Sequence, residues 1–437
     1  MDGLIMALQM ILALSIIVGI HELGHLIAAK IFGMKVEKYY IGFPPKIWSF
    51  KYKDTEYGLG SIPLGGFVKI SGIIDESFDT KHINKKPKPW EFRSKPAWQR
   101  LIVMLGGIIF NVITGVLIFV ILTYNYGESS ISKDEINKDG ILALEIGNDI
   151  GFETGDKILK INNEDWNKFK DLVNPNIFLN ENSYYTVLRN DNKVTVHLPK
   201  NFIDMMSSKE SRGKFISYRR PFIIDSVYSN AYKSGIKKGD KIVSVNNKKI
   251  IDFNELRKVV ESNSNSIIQI TIERNKILID KIVDVNKDGQ MGIRADIKEL
   301  NITKNYFSFF ESINIGTERA FGFVWLNIKA FKKMFSGEIN PTKNLAGPIG
   351  IAQIFGSKWN SIRFWSTVGL LSMILAFMNL LPIPALDGGH AMFLSYEIIS
   401  GKKPSEKFLE YSTRFGVIIL LGLMSFVILN DIYKLFI

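Results

Sequence analysis

Four stretches of the chain carry no Asp, Glu, Lys or Arg: Leu4 to Ile20, Leu101 to Gly127, Trp365 to Leu386 and Phe415 to Asn430. Each approaches the about 20 residues that cross a hydrocarbon core, the last only with its flanks. A bilayer offers no water to backbone N–H and C=O groups, so segments of this kind must satisfy them internally as helices. The expected fold class is therefore a polytopic α-helical membrane protein of about four transmembrane helices. A large insertion of ordinary mixed composition, about 235 residues, separates the second run from the third.

Charge sets the expected orientation. Residues 30 to 100 hold 14 Lys and Arg against 7 Asp and Glu, and they join the first two runs. Basic residues flanking spans mark the cytoplasmic side. Lys30, Lys35 and Lys38 follow the first run; Arg93, Lys95 and Arg100 precede the second. The N-terminus, the long insertion and the C-terminus are thus expected outside the cytoplasm. The first run lacks a basic n-region and a small-residue cleavage site, so it is expected to stay attached. The same distribution accounts for the net charge of +12 without nucleic acid as a partner. The chain has no cysteine, which leaves neither disulfides nor thiolate metal ligands.

The insertion contains an internal repeat. Gly155-Asp156-Lys157-Ile158-Leu159-Lys160-Ile161-Asn162-Asn163 returns as Gly239-Asp240-Lys241-Ile242-Val243-Ser244-Val245-Asn246-Asn247, identical at six of nine positions and offset by 84 residues. A Gly-Asp turn feeding an alternating apolar strand is its local logic. The pattern resembles bacterial PDZ domains, the second copy more closely. Its Ala231 to Asp240 matches the run before that strand, and Phe253 to Val260 reads as the helix beside a peptide groove. PDZ domains bind extended peptides by strand addition, so peptide ligands are implied partners. Asn305 to Phe335, rich in aromatics with interspersed Lys and Glu, reads as an amphipathic helix on a membrane face or against the second repeat. Lys343 to Gly350 reads as a Gly-Pro break. The expected organisation is 1–126, an N-terminal membrane core; 127–212 and 213–300, two PDZ-like domains; 301–364, an amphipathic connector; and 365–437, a C-terminal membrane core.

At the end of the first run stands His21-Glu22-Leu23-Gly24-His25, an H-E-x-x-H motif in a chain with only five histidines. Four residues apart on a helix, both imidazoles share a face and can reach one ion, with the Glu beside it as general base. Ionisable groups at membrane depth cost roughly 2.5–3.5 kcal/mol each, which a bound divalent cation would offset. A catalytic zinc needs a third protein ligand and an open position. His82, His197 and His390 are possible. A carboxylate fits better: the third run has the same direction as the first, so its end lies at the same depth, and there Pro382 and Pro384 interrupt the helix. Asp387 is the one acid of that interrupted stretch, Asn379 to Gly389.

H-E-x-x-H in a first span with N-x-x-P-x-P-x-L-D-G-G in a later one resembles the site-2 protease family of intramembrane zinc metalloproteases. Gly42-Phe43, Ile62 to Lys69, Leu345 to Ile351 and two PDZ-like copies extend that resemblance over nearly the whole chain, towards the family's bacterial branch. Pro44 departs from the Gly expected after Gly42-Phe43. The resemblance implies Zn2+ held by His21, His25 and Asp387, Glu22 activating water, and Asn379 positioning the substrate carbonyl. Residues 57 to 70, which alone read only as a Gly-rich strand, would pair with extended substrate through Gly65 and Gly66. His390 would support the site without being a ligand. Substrates would be single-span membrane proteins in the bilayer of the bacterial cytoplasmic membrane, such as a pre-trimmed anti-sigma factor or a remnant signal peptide. The competing classes are a non-catalytic PDZ-bearing scaffold with a vestigial metal site and a metal transporter, the latter disfavoured by the small number of spans.

Overall fold

The computed structural model describes residues 2–73, 87–207, 213–219, 222–250, 252–297 and 300–436. The chain forms two compact units: Met1–Gly127 with Tyr306–Phe331 and Leu345–Ile437, and Glu128–Asn305 with Lys332–Asn344.

In the first unit, four helices are long and apolar enough to cross a membrane among the described residues. The first span, Asp2–Ile31, runs on through the H-E-x-x-H motif, because Leu23, Leu26, Ala28 and Ala29 are good helix formers. It stops where Gly33 takes a left-handed φ of 64°. The second span is Ala97–Tyr126. First and second spans touch backbone to backbone: a methyl added at Gly24 would overlap the Gly106 carbonyl. Small residues of this kind let membrane helices approach closely where no hydrophobic effect drives them together.

The third span is Ser361–Leu380, shorter than the uncharged run expected to end at Leu386. Pro382 and Pro384 lack an N–H and disfavour helix before them. Ala385 sits at φ 107°, and a new helix, Asp387–Ser400, begins only at the aspartate. Arg100 and Glu397, both largely buried, tie this helix to the second span by an ion pair of 2.5 Å. The fourth span, Glu406–Phe436, extends well beyond the apolar run on both sides. Its buried Asp431 accepts from the backbone N–H groups of Gly347 (2.9 Å), Ile349 (2.8 Å) and Gly350 (3.1 Å). The Gly-Pro break thereby becomes the capped start of a short helix, Pro348–Phe355.

The aromatic segment is a helix, Phe309–Phe335, that packs one stripe on the second span and leaves Phe310, Phe321 and Trp325 exposed. Ser312, Gly316 and Ala320, spaced four apart, form a small-residue stripe buried against the second span. Arg319 donates to Thr123 Oγ1 at 3.1 Å, and Phe323 stacks on Phe119.

Between the first two spans, Val36–Tyr52 and Thr55–Ile70 form an antiparallel hairpin folded back on itself. Residues 38–41 pair on one side with 56–59 and on the other with 66–69. Among the described residues, the stretch 66–70 has one paired side, against 36–41, and is an edge.

The second unit contains two apolar cores. The first gathers Ile141, Ile158, Tyr185 and Phe215 around a sheet of Lys157–Ile161, Tyr184–Arg189 and Asn192–His197. The second gathers Ile224, Ile242, Ile270 and Met291, with a helix at Phe253–Ser262. The repeated residues make the same contacts twice. Buried Asp156 receives a bidentate pair of hydrogen bonds from Arg189 (2.8 and 2.7 Å), as Asp240 does from Arg274 (2.6 and 2.7 Å). The same arginines also donate to the carbonyls of Gly151 and Gly235. Phe215 and the strand Ile216–Tyr218 belong to the first core, so the division between cores lies beyond the expected 212/213 boundary.

Candidate metal centre

His21 and His25 are buried on the inner face of the first span, 6% and 5% exposed. Their Nε2 atoms are 3.2 Å apart. Asp387, in the first turn of its helix after the proline break, brings Oδ2 to 3.0 Å from His21 Nε2 and 3.3 Å from His25 Nε2. Asn379, in the last turn of the third span, puts its amide nitrogen 3.2 Å from His21 Nε2. These groups line a cavity of about 610 Å³ together with Glu22, Gly65 and Gly66. The hairpin edge 66–70 forms one wall of that cavity.

The donor chemistry can be tested against a cation. His25 Nδ1 lies 2.7 Å from the Val103 carbonyl, which can only accept. That contact places a proton on Nδ1, so in the neutral ring Nε2 carries the lone pair. Asp387 Oδ2 is buried, and the polar atoms beside it are the two imidazole nitrogens. In that neutral form the Nε2 lone pair and the carboxylate oxygen, 3.3 Å apart, are both free to face a cation. Together with His21 they form the one three-residue group of metal-ligating type among the described residues, its ligand atoms within 4.8 Å of one another. Two nitrogens and one oxygen, with room beside them, suit a tetrahedral zinc site that keeps a fourth position open.

The other expected candidates fall elsewhere. His390, one turn after Asp387, lines the same cavity but stands outside the three-residue group. His197 lies on a strand of the second unit, its ring 5.5 Å from that of Tyr184. His82 lies outside the described residues.

The second span also contributes to the site, a part that neither metal motif indicates. Val103, Gly107 and Asn111, spaced four apart, present one stripe to the two histidines. Val103 holds the His25 ring through its carbonyl, and Asn111 Nδ2 is 3.2 Å from His21 Nδ1. Gly107 lies so near both rings that an added methyl would come within 2.5 to 2.7 Å of their atoms. An asparagine in the middle of an uncharged span was the available signal.

Apolar spans enclosing a polar cavity, two imidazoles and a carboxylate converging at membrane depth, and a glutamate beside them define an intramembrane zinc protease. The chain is a multi-pass membrane protein of the peptidase family M50, whose family profile matches residues 9–423. It is 29% identical over 451 residues to the regulator of sigma E protease of Haemophilus influenzae, covering 97% of this chain and 98% of that one. It is also similar to the regulator of sigma-E protease RseP of Salmonella typhimurium, 27% identical over 454 residues, covering 97% and 98%. The metalloprotease activity, the zinc dependence and the site-2 type anticipated from the two motifs follow from this membership.

Proposed function

We propose that His21, His25 and Asp387 hold the zinc, that Glu22 is the general acid–base, and that the hairpin edge receives an unwound substrate segment. The observation that carries this is the convergence of one ligand atom each from His21, His25 and Asp387 within 4.8 Å of one another. A zinc held by these three groups would supply Lewis-acid polarisation of the carbonyl and a water acidic enough to attack near neutral pH. Glu22 takes the proton from the attacking water and delivers it to the departing amide nitrogen, as a carboxylate on the cavity wall can. Asn379 offers its N–H to the oxygen that gains charge as the carbonyl becomes tetrahedral.

A transmembrane substrate enters as a helix whose carbonyls are tied up in its own hydrogen bonds. Cleavage requires that it open locally, and residues 66–70 supply backbone partners for an extended peptide. Gly65 and Gly66 lie on the cavity wall with Glu22, where a side chain would meet the Phe43 ring and the Tyr40 carbonyl. Substrates are single-span membrane proteins, with pre-trimmed anti-sigma factors and remnant signal peptides the fitting classes. The names of the two relatives support the first. The second unit acts as a pair of PDZ-like domains that screen substrates by size or bind peptide, supported by the duplicated Asp–Arg turn. The basic residues flanking the first two spans support a cytoplasmic hairpin and metal site in the inner membrane, with both termini and the PDZ-like domains outside.

Glu22→Gln should reduce cleavage of a trimmed single-span substrate by about 10²- to 10⁴-fold while zinc content stays at one per chain. Asp387→Ala should lose both. Normal zinc content in Asp387→Ala would remove Asp387 from the ligand set and point to His390.

A further inference from the structure

We infer that Asn111 is a positioning residue whose side-chain oxygen accepts the Nδ1–H of His21 and thereby holds that ring in the tautomer a metal ligand needs. The inference rests on the ligand assignment above. Asn111 is completely buried in the second span, and its amide reaches His21 Nδ1 at 3.2 Å. With nitrogen towards the ring, Asn111 Oδ1 is buried without a partner. Rotating the amide by half a turn exchanges the two atoms and puts Oδ1 towards the ring. Either orientation leaves one amide atom unpartnered, so burial does not choose between them. The ring does. His21 Nε2 points at Asp387 Oδ2 (3.0 Å) and His25 Nε2 (3.2 Å), the same atoms that make up the cluster. To act with them on one cation, Nε2 must carry a lone pair, and the ring proton must sit on Nδ1. A proton there requires an acceptor, and Asn111 Oδ1 is the atom that can supply it.

His25 already has that arrangement, with the Val103 carbonyl at 2.7 Å from its Nδ1. The two supports come from one face of one helix, residues 103 and 111, two turns apart. Asn111 is itself held, because its backbone carbonyl accepts from Ser372 Oγ of the third span at 2.8 Å. The second span thus orients both imidazoles, one through a main-chain oxygen and one through a side-chain oxygen. Partners of this kind behind metal-bound histidines are worth about 10- to 100-fold in metal affinity.

The test compares Asn111→Leu, which keeps volume and removes the acceptor, with Asn111→Asp, which keeps an acceptor. Each full-length protein is purified in detergent and titrated with a zinc chelator. The d–d absorption of its cobalt-substituted form and its thermal unfolding are also recorded. Asn111→Leu is expected to release zinc at about 10- to 100-fold lower chelator strength and to shift the cobalt bands. Asn111→Asp should hold zinc within a few-fold of the parent and restore the bands. Equal loss in both variants with equally lowered unfolding temperature would make Asn111 a packing residue and overturn the inference. If Asn111→Leu binds zinc like the parent while His21→Ala loses it, the inference fails and the ligand assignment stands. If His21→Ala also retains zinc, the ligand assignment itself has failed, and the role of Asn111 falls with it.

Discussion

Replacing Gly107 by alanine adds one methyl group at the point where the second span lies against the two histidines. The new carbon would stand 2.5 Å from His25 Nε2, 2.6 Å from His21 Cε1 and 2.7 Å from His21 Nδ1. Ordinary contact requires about 3.4 Å, so rings or helix must yield by roughly 0.7 to 0.9 Å. The rings cannot yield freely. His25 is tied to Val103 and His21 faces Asn111, both on the same helix as Gly107. Moving the helix back stretches those contacts, and moving the rings pulls Nε2 away from Asp387. Overpacking of this size costs about 1–3 kcal/mol in stability. A misplacement near 1 Å in an active site is worth about 100-fold in rate. Gly322→Ala is the control, since nothing lies within 4 Å of a methyl placed there. Zinc retained against a chelator and the rate of cutting a trimmed membrane substrate should both fall in Gly107→Ala, the rate by about 100-fold, and neither in Gly322→Ala. A Gly107→Ala protein that holds zinc and cuts like its parent would refute the close approach of the second span to these rings.

Asn379→Ala should lower kcat by about 10²- to 10³-fold with zinc content unchanged, and a loss of zinc instead would make Asn379 a support of His21. In the second repeat, burial acts to raise the Asp240 carboxyl, but Arg274 and the Lys237 N–H outweigh it and hold it below its usual range. Its contribution to stability is therefore complete above its unfolded pKa and is lost as pH falls through the lower folded value. Arg274→Met should destabilise the second core by about 3 kcal/mol near neutral pH, read as faster hydrogen exchange in residues 222–297. A difference that does not shrink on acidification would contradict the ion-pair account. Single cysteines at Lys248 and Lys402 meet no native thiol background. An impermeant reagent on intact cells should label the first and spare the second; labelling at Lys402 would invert the proposed orientation. A third probe, at Lys86, lies outside the described residues.

Local sequence determined a great deal of this protein. Uncharged runs near bilayer length specify helical spans, because the backbone has no alternative partner in hydrocarbon. H-E-x-x-H places His21 and His25 on one face wherever the segment is helical, since that depends only on the helical period. Pro382 and Pro384 specify a break before Asp387 by removing two N–H donors, and the Gly-Asp repeat specifies a turn and strand used twice. Tertiary structure decided what stands opposite these groups. Nothing in the local pattern of the second span says that Val103, Gly107 and Asn111 face His25 and His21 across a helix contact. Nor does the composition of residues 309–335 reveal that Ser312, Gly316 and Ala320 bury themselves against Val120 and its neighbours. The edge at 66–70 likewise arises because residues 38–41 pair on both sides and leave the last strand, among the described residues, without a second neighbour. Such features join residues tens to hundreds of positions apart, so they are set by the packing of whole helices and strands and by no local rule of the chain.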